Sequence, residues 1–232
     1  MKMPLGTRRL FVLAQVVVHA VVFNLVVAPA MSLAAQDSKP IRIVAFGDSL
    51  TAGFNLKPSE AFPSVLQREL SARGQNVAIL NSGVSGDTTA SGRQRFDWAI
   101  PEGTEAVILE LGANDALRGI DPELARAQLE AIVLKLKQRN IEVLLAGMTA
   151  PRNWGEDYVR AFNRIYPDLA RKHGLLHYPF FLDGVALKPE LNLPDGLHPN
   201  AKGVEEIARR MIPAVEELIA RARKKRLALE KG

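Results

Sequence analysis

Ile41-Arg42-Ile43-Val44-Ala45-Phe46, followed directly by Gly47-Asp48-Ser49-Leu50, is the stretch of sequence that decides the fold. Five of the first six side chains are apolar, which predicts a buried strand that ends at Gly47. After the polar loop, apolar residues recur at helical spacing from Phe62 to Leu70, and Gly74 marks the predicted end of that helix. A strand, a loop and a helix in this order form the first half of a βαβ unit.

The same alternation continues through the rest of the chain. Apolar runs at 77–80, 106–111, 143–146 and 175–178 predict four further strands. Helical patterns occupy 122–139 and 156–173, and a last helix begins near Lys202. Strands that alternate with helices predict a parallel sheet that is covered by helices on both faces. We therefore predict an α/β fold.

Three glycine-containing loops follow the first three predicted strands. They begin with Gly47-Asp48-Ser49, Ser82-Gly83 and Gly112-Ala113-Asn114. The carboxyl ends of parallel strands meet at one edge of the sheet, and ligands of such folds bind beyond that edge. We therefore expect the functional residues at this edge.

Residues 1–35 have the pattern of an export signal. The basic residues Lys2, Arg8 and Arg9 precede an apolar run at 10–28, and small residues follow this run. This order is typical of secretory signal peptides. The sequence thus predicts an exported protein, periplasmic or secreted.

An uncleaved membrane anchor is the alternative, because the apolar run approaches the ~20 residues that span a bilayer. His19 and Asn24 interrupt the run and favour cleavage, so we expect no stable membrane span in the mature protein. The remaining chain is divided into one domain at 36–220 and a basic tail at 221–232. We expect a monomer.

The formal net charge of +5 comes from the two ends of the chain. The tail has six basic residues against one acidic residue, whereas the region between the ends has a small excess of acids. No basic groove is implied, and we expect no nucleic-acid partner. The tail could touch anionic lipid, but a solvated helix end is the favoured interpretation. The absence of cysteine excludes disulfides, thiolate metal sites and a cysteine nucleophile.

Ser49 and the segment Asp195-Gly196-Leu197-His198-Pro199 together predict nucleophilic catalysis. Serine is a poor nucleophile until a base takes its proton, and histidine is the side chain best suited to that near neutrality. The histidine needs an acceptor on Nδ1 that fixes its tautomer, and Asp195 is three residues before His198. His173 and His177 instead fit a helix end and a buried strand.

Acyl transfer also needs donors for the oxyanion that develops on the substrate. Gly86 can bring its backbone N–H close to a ligand, and Asn114 offers a side-chain amide. Each of these residues alone would be interpreted as a turn residue. Asp48 and Asp115 are expected to order their loops.

These four blocks together resemble the GDSL or SGNH hydrolase family. The chain matches the family's order with Gly47-Asp48-Ser49-Leu50, the Gly83 to Gly86 loop, Gly112-Ala113-Asn114-Asp115 and Asp195-Gly196-Leu197-His198-Pro199. Within the family, it looks most like small enzymes described as multifunctional acyl-CoA thioesterase, lysophospholipase and arylesterase. The resemblance covers the chain from Ile41 to about Leu218.

The resemblance implies a three-layer α/β/α sandwich and a serine ester hydrolase. It implies Ser49 as the nucleophile, His198 as general base and then acid, and Asp195 as the partner of His198. It further implies an oxyanion hole formed by the N–H groups of Ser49 and Gly86 with the Asn114 side chain. No metal or organic cofactor is expected.

The substrate side of the site is also an expectation from the resemblance. The loop Leu117-Arg118-Gly119 would border an acyl-chain groove, and the apolar loop at 180–193 would form its wall. Lysophospholipids, other lipids and xenobiotic esters are the expected substrates. The alternatives are a polysaccharide or small-molecule deacetylase, an acyltransferase on the same site, and an envelope protein that binds lipid without turnover.

Overall fold

The structure, a computed structural model, describes residues 39–231. The predicted signal at 1–35 lies outside the described residues. Five parallel strands form one sheet in the order β2-β1-β3-β4-β5. They are β1 (Ile41–Gly47), β2 (Val77–Gly83), β3 (Ala106–Glu110), β4 (Glu142–Ala146) and β5 (Leu176–Tyr178).

Nine α-helices connect or follow these strands within residues 39–231. They are α1 (Ser49–Ala52), α2 (Phe62–Ala72), α3 (Thr89–Gln94), α4 (Phe96–Ala99), α5 (Ala113–Leu117), α6 (Pro122–Gln138), α7 (Glu156–Asn163), α8 (Ile165–His173) and α9 (Ala201–Leu229). Short 3₁₀ turns lie at Pro58–Glu60, Arg152–Trp154 and Pro189–Leu191. None of the helices in this part of the chain is long and apolar enough to cross a lipid bilayer.

The helices form two layers around the sheet. Helices α2 and α9 pack against each other, and α9 also contacts β1, β3, β4 and β5. Helix α6 packs against α3, α7 and α8, and both α6 and α8 contact β4. Every residue of β3 is buried, as expected for the central strand of a sheet that is covered on both faces. The predicted α/β class and the three-layer arrangement are confirmed.

The register of the sheet brings the predicted catalytic loops together. Gly47 at the end of β1 pairs with Gly83 on β2 and with Glu110 on β3. The segments that follow these residues therefore leave the sheet side by side at its carboxyl edge. The first strand and the loop after it are thus at the centre of the candidate site.

The helix predicted at 156–173 is wrong as a single element. The structure has two helices, α7 and α8, with a break at Arg164. Pro167 explains this break, because proline has no N–H to donate to the Asn163 carbonyl and its ring would clash with that group in a continuous helix.

The last helix extends beyond the predicted domain boundary at 220. Helix α9 continues without a break to Leu229. Near its end, Lys225 pairs with Glu142 at 2.8 Å and Arg226 pairs with Glu105 at 2.7 Å. These contacts join the basic segment at 221–229 to the first residue of β4 and to the residue before β3.

Candidate active site

Ser49 lies at the start of α1, directly after β1, and is 7% exposed. Asp48 caps this short helix, because its Oδ1 accepts a hydrogen bond from the Leu50 N–H at 3.0 Å. The helix ends after one turn at Gly53, whose φ of 83° is in the left-handed region that favours glycine. This sharp turn places the Ser49 hydroxyl at the carboxyl edge of the sheet.

Ser49, His198 and Asp195 form a chain of hydrogen bonds. His198 Nε2 is 2.9 Å from Ser49 Oγ, and His198 Nδ1 is 2.7 Å from Asp195 Oδ2. The second oxygen of Asp195 accepts from the backbone N–H groups of Leu197 and His198, at 2.9 and 3.0 Å. The structure thus brings together all three residues predicted as a triad, although Ser49 and His198 are far apart in sequence.

The hydrogen bonds of the Asp195 loop keep its carboxylate charged. The donor from the His198 backbone, with help from the Leu197 N–H and the His198 ring, lowers the pKa of Asp195 to about 2. Phe54 packs against the His198 ring, and the two ring centroids are 4.4 Å apart. Asp195 therefore holds the imidazole at Nδ1, and the Phe54 ring packs against it. Its Nε2 contacts the Ser49 hydroxyl.

The three groups predicted for the oxyanion hole differ in their present partners. Within residues 39–231, the N–H groups of Ser49 and Gly86 donate to no protein atom. Asn114 Nδ2 instead donates to Asp48 Oδ2 at 3.1 Å and to the Asp87 carbonyl at 3.0 Å. Both hydrogens of this amide thus have protein partners. To bind an oxyanion, Asn114 would have to share or exchange one of these bonds.

Asp48 is fully buried and links the nucleophile loop to Asn114. Burial disfavours the charged carboxylate and raises the pKa of Asp48 to about 6, although bonds from Leu50 and Asn114 act in the opposite direction. The prediction that Asp48 orders its loop agrees with these contacts. It therefore supports the site without lying in line between Ser49 and His198.

A buried arginine ties the first two catalytic loops together, and sequence reasoning missed it. Arg95 is 6% exposed, and its Nη2 donates to the Gly47 carbonyl at 2.8 Å. Its Nε pairs with Asp87, whose carbonyl also receives the Asn114 amide. In the sequence, Arg95 stands in a polar segment and carries no signal that distinguishes it from a surface arginine.

An apolar cavity of about 280 Å³ opens beside Ser49 and His198. Its lining side chains come from several loops and are mainly Leu50, Ala116, Leu117, Met148, Pro151, Phe180, Leu182 and Leu197, with Thr149 and Asn114 as polar members. An apolar cavity next to an activated hydroxyl fits the acyl part of an ester.

The residues predicted to bind substrate occupy three different places. Leu117 lines the cavity, whereas Arg118 and Gly119 do not. Arg118 Nη2 donates to the Gly86 carbonyl at 3.1 Å, and Gly119 lies against the Trp154 ring. Arg118 thus contacts the predicted oxyanion loop.

A larger groove of about 640 Å³ lies at the opposite, amino-terminal edge of the sheet. It is lined by residues near the starts of the strands and by the end of α9, including Lys39, Arg42, Arg139, Lys225 and Arg226. This groove contains no serine or histidine, so the smaller cavity is the candidate active site. Residues 39–231 have no group of three or more histidine and carboxylate side chains that could hold a metal ion.

Comparison with known proteins identifies the family. Residues 45–205 match the profile of the GDSL-like Lipase/Acylhydrolase family. The matched region is more than half of the chain. The chain belongs to this family. As a GDSL-family protein it is a serine ester hydrolase, and the corresponding prediction from the sequence is confirmed at this level.

Individual relatives agree with the family match. An arylesterase from Vibrio mimicus is 36% identical over 186 residues, which cover 80% of this chain and 92% of the relative. Thioesterase 1/protease 1/lysophospholipase L1 from Escherichia coli K12 is 34% identical and covers 76% of this chain and 84% of the relative. The crystal structure of AlinE4, an SGNH-hydrolase family esterase, is 46% identical with a TM-score of 0.66, over 77% of this chain and 96% of that one.

We expect Asn114→Ala to lower kcat by about 10²- to 10³-fold, the usual effect of removing one oxyanion donor, with a much smaller change in KM. Steady-state kinetics with nitrophenyl butyrate measures both constants, and circular dichroism checks the fold. The variant also removes a donor from Asp48, so a second variant, Asn114→Gln, tests whether an amide placed one methylene further away restores activity. An unchanged kcat in Asn114→Ala would exclude the side chain from the oxyanion hole.

Proposed function

We propose that this enzyme hydrolyses carboxylic esters with apolar acyl groups through a covalent acyl intermediate on Ser49. The continuous chain of hydrogen bonds from Ser49 through His198 to Asp195 carries this proposal. Serine becomes nucleophilic when an adjacent base can take its proton, and an oriented carboxylate favours the imidazolium that forms.

The proposed reaction has two halves. The Ser49 oxygen bonds to the ester carbonyl carbon while His198 Nε2 takes the hydroxyl proton. His198 then gives this proton to the alcohol as the bond between the acyl carbon and the leaving oxygen breaks. In the second half, water loses a proton to His198 and attacks the acyl carbon, and Ser49 leaves with that proton.

The amides of Ser49 and Gly86 are proposed to bind the oxyanion in both halves. Their N–H groups have no protein acceptor in the described part of the chain, so they are free to donate to a substrate oxygen. Asn114 would join them by turning one hydrogen from the Asp87 carbonyl or from Asp48 towards the substrate. If the hydrogen shared with the Asp87 carbonyl is the one that turns, the bond to Asp48 still anchors the amide.

The lining of the cavity supports medium or long acyl chains as the preferred substrates. Leu117, Met148 and Leu182 offer apolar surface next to Ser49, and the buried area grows with each methylene of the substrate. Lysophospholipids, other lipid esters and xenobiotic esters fit this chemistry. The names of the relatives, an arylesterase and a thioesterase with lysophospholipase activity, point in the same direction.

The place of action is also part of the proposal. The basic, apolar and small-residue order at 1–35 supports export and cleavage, which leaves a mature enzyme from about position 36. One chain supplies Ser49, Asp195 and His198, so activity needs no second copy and a monomer remains the expectation.

The first test is hydrolysis of nitrophenyl acetate, butyrate, octanoate and palmitate by the mature enzyme. We expect kcat/KM to rise about fourfold for each methylene that the cavity buries, since a methylene contributes about 0.8 kcal/mol. Activity confined to acetate would favour a deacetylase. Slow hydrolysis with rapid transfer of the acyl group to an added alcohol would favour an acyltransferase.

Leu182→Ala tests whether the chain occupies the cavity. We expect the ratio of kcat/KM for octanoate over acetate to fall about tenfold, because truncation removes apolar surface that only the longer chain contacts. Leu187→Ala is the matched control, since Leu187 lies in the same loop, is 92% exposed and does not line the cavity. Equal ratios for the two variants would place the acyl chain elsewhere.

A further inference from the structure

Glu110 is a fully buried carboxyl that packs against the nucleophile loop, and the proposed reaction does not use it. It is the last residue of β3 and pairs with Gly47 at the end of β1. Glu110 Oε2 accepts a hydrogen bond from the Thr51 hydroxyl at 2.7 Å and from the Asp48 N–H at 3.3 Å. These two donors stand on either side of Ser49 in the sequence.

The packing around this carboxyl is close. A side chain at Gly47 would collide with Thr51 Oγ1 and with the Glu110 carboxyl, so only glycine lets the loop approach this near. Thr51 is 1% exposed, and its hydroxyl is directed to Glu110. One carboxyl thus fixes both ends of the turn that presents the nucleophile.

The surroundings of Glu110 do not favour a charged carboxylate. Neither of its two donors is charged, and Oε1 has no protein partner within residues 39–231. The ionisable groups around it are the Asp48 carboxyl, Tyr166 of α8, which donates to the Leu111 carbonyl, and Arg95, which is bound to Gly47 and Asp87. A buried carboxylate without a cationic partner is strongly disfavoured.

The neighbouring carboxyl of Asp48 makes this preference stronger. Burial first, and then the charge of Asp48, raise the pKa of Glu110 well above its usual value. Asp48 itself has two N–H donors, from Leu50 and Asn114, and its pKa is about 6. Near neutral pH, Asp48 is therefore the member of the pair that ionises.

We propose that Glu110 is a positioning residue that acts as a neutral acid and holds Asp48 and Thr51 so that Ser49 meets His198. This inference rests on the proposed roles of Ser49 and His198. The neutral form keeps the two hydrogen bonds to the loop. It also spares Asp48 the repulsion of a second buried negative charge close by.

Glu110→Gln is the decisive variant, because an amide has the shape of a protonated carboxyl and still accepts from Thr51 and Asp48. We expect its kcat to stay within about threefold of the wild type. We expect Thr51→Val, which removes the hydroxyl donor at nearly constant volume, to lower kcat about tenfold at unchanged KM. Glu142→Gln at the start of β4 is the control for a Glu-to-Gln change away from the site.

The pH dependence of stability separates a neutral acid from a structural carboxylate. If Glu110 stays protonated when folded, the native state binds about one proton more than the unfolded chain above about pH 4.3. Wild-type stability should then fall, relative to Glu110→Gln, as the pH rises from about 5 to 8. Denaturant titrations of both proteins at several pH values measure this difference.

The outcomes are distinct. A large loss of kcat in folded Glu110→Gln, or equal pH dependence of the two proteins, overturns the inference. If Glu110→Gln does not fold, Thr51→Val decides, and full activity in that variant also overturns it. Failure of the proposed function is recognised separately, because it would appear as activity in Ser49→Ala, whereas failure of this inference leaves Ser49→Ala inactive.

Discussion

Ser49→Ala should lower kcat for nitrophenyl butyrate by at least about 10⁴-fold while the protein stays folded. The substitution removes the atom that forms the acyl bond, and His198 then has no nucleophile to deprotonate. The oxyanion donors remain, so a small residual rate over water is expected. Kinetics at high enzyme concentration, with the Tm as the test of folding, measure the effect.

A covalent probe adds a readout that is independent of turnover. A fluorophosphonate reagent should add one label to the wild type at Ser49, found by peptide mass spectrometry, and no label to Ser49→Ala. Ser64→Ala is the matched control, because Ser64 is an exposed serine in the first turn of α2 and should leave both labelling and kcat unchanged. Labelling at another serine, or activity in Ser49→Ala, would move the nucleophile elsewhere.

The sequence predicted much of the fold because the strands of a covered parallel sheet are short apolar runs. The runs at 41–46, 77–80, 106–111, 143–146 and 175–178 all correspond to strands, with ends that differ by a few residues. Short helices such as α3, α4 and α5 were not predicted. They have only one or two turns, too few for a helical period to appear in the sequence.

The candidate catalytic residues could be predicted from the sequence, because only a few residue types can act as nucleophile, general base and orienting acid. A serine after a strand and an acid three residues before a histidine form a pattern with a mechanism. Their roles remain proposals, although the structure places His198 within hydrogen-bonding distance of both Ser49 and Asp195. The order of the blocks along the chain supplied the rest of the signal.

The supporting residues were not predictable from the sequence, for a different physical reason. Arg95 and Glu110 are charged residue types, which usually lie at the surface, and their burial depends on partners distant in the chain. Arg95 bonds to Gly47, and Glu110 bonds to Asp48 and Thr51. Glu110 stands inside the apolar run at 106–111, and a carboxyl in a predicted buried strand is the one signal that could have drawn attention to it.

Asp195→Asn should reduce kcat about 10³-fold near pH 7 with little change in KM. An asparagine amide can donate to His198 Nδ1, which favours the tautomer with a proton on Nε2. That nitrogen then cannot accept the Ser49 proton, and the imidazolium also loses its counter-ion. The loss should be smaller than for a buried aspartate, because the Asp195 side chain is 36% exposed and water partly screens its charge.

The low pKa of Asp195 gives this variant a characteristic pH dependence. With a pKa of about 2, the wild-type carboxylate stays charged across the assay range, so the kinetic defect of Asp195→Asn should persist from about pH 5 to 9. The contribution of Asp195 to folding stability is present above its unfolded pKa of about 3.9, and it is lost as the pH falls through about 2. The stability difference between wild type and variant should therefore shrink below about pH 4.

Asp183→Asn is the matched control for the loss of one charge, because Asp183 is an exposed aspartate that pairs with Arg210. This variant should leave kcat unchanged. A defect that disappeared at high pH, or an equal defect in the control, would assign the orientation of His198 to another group.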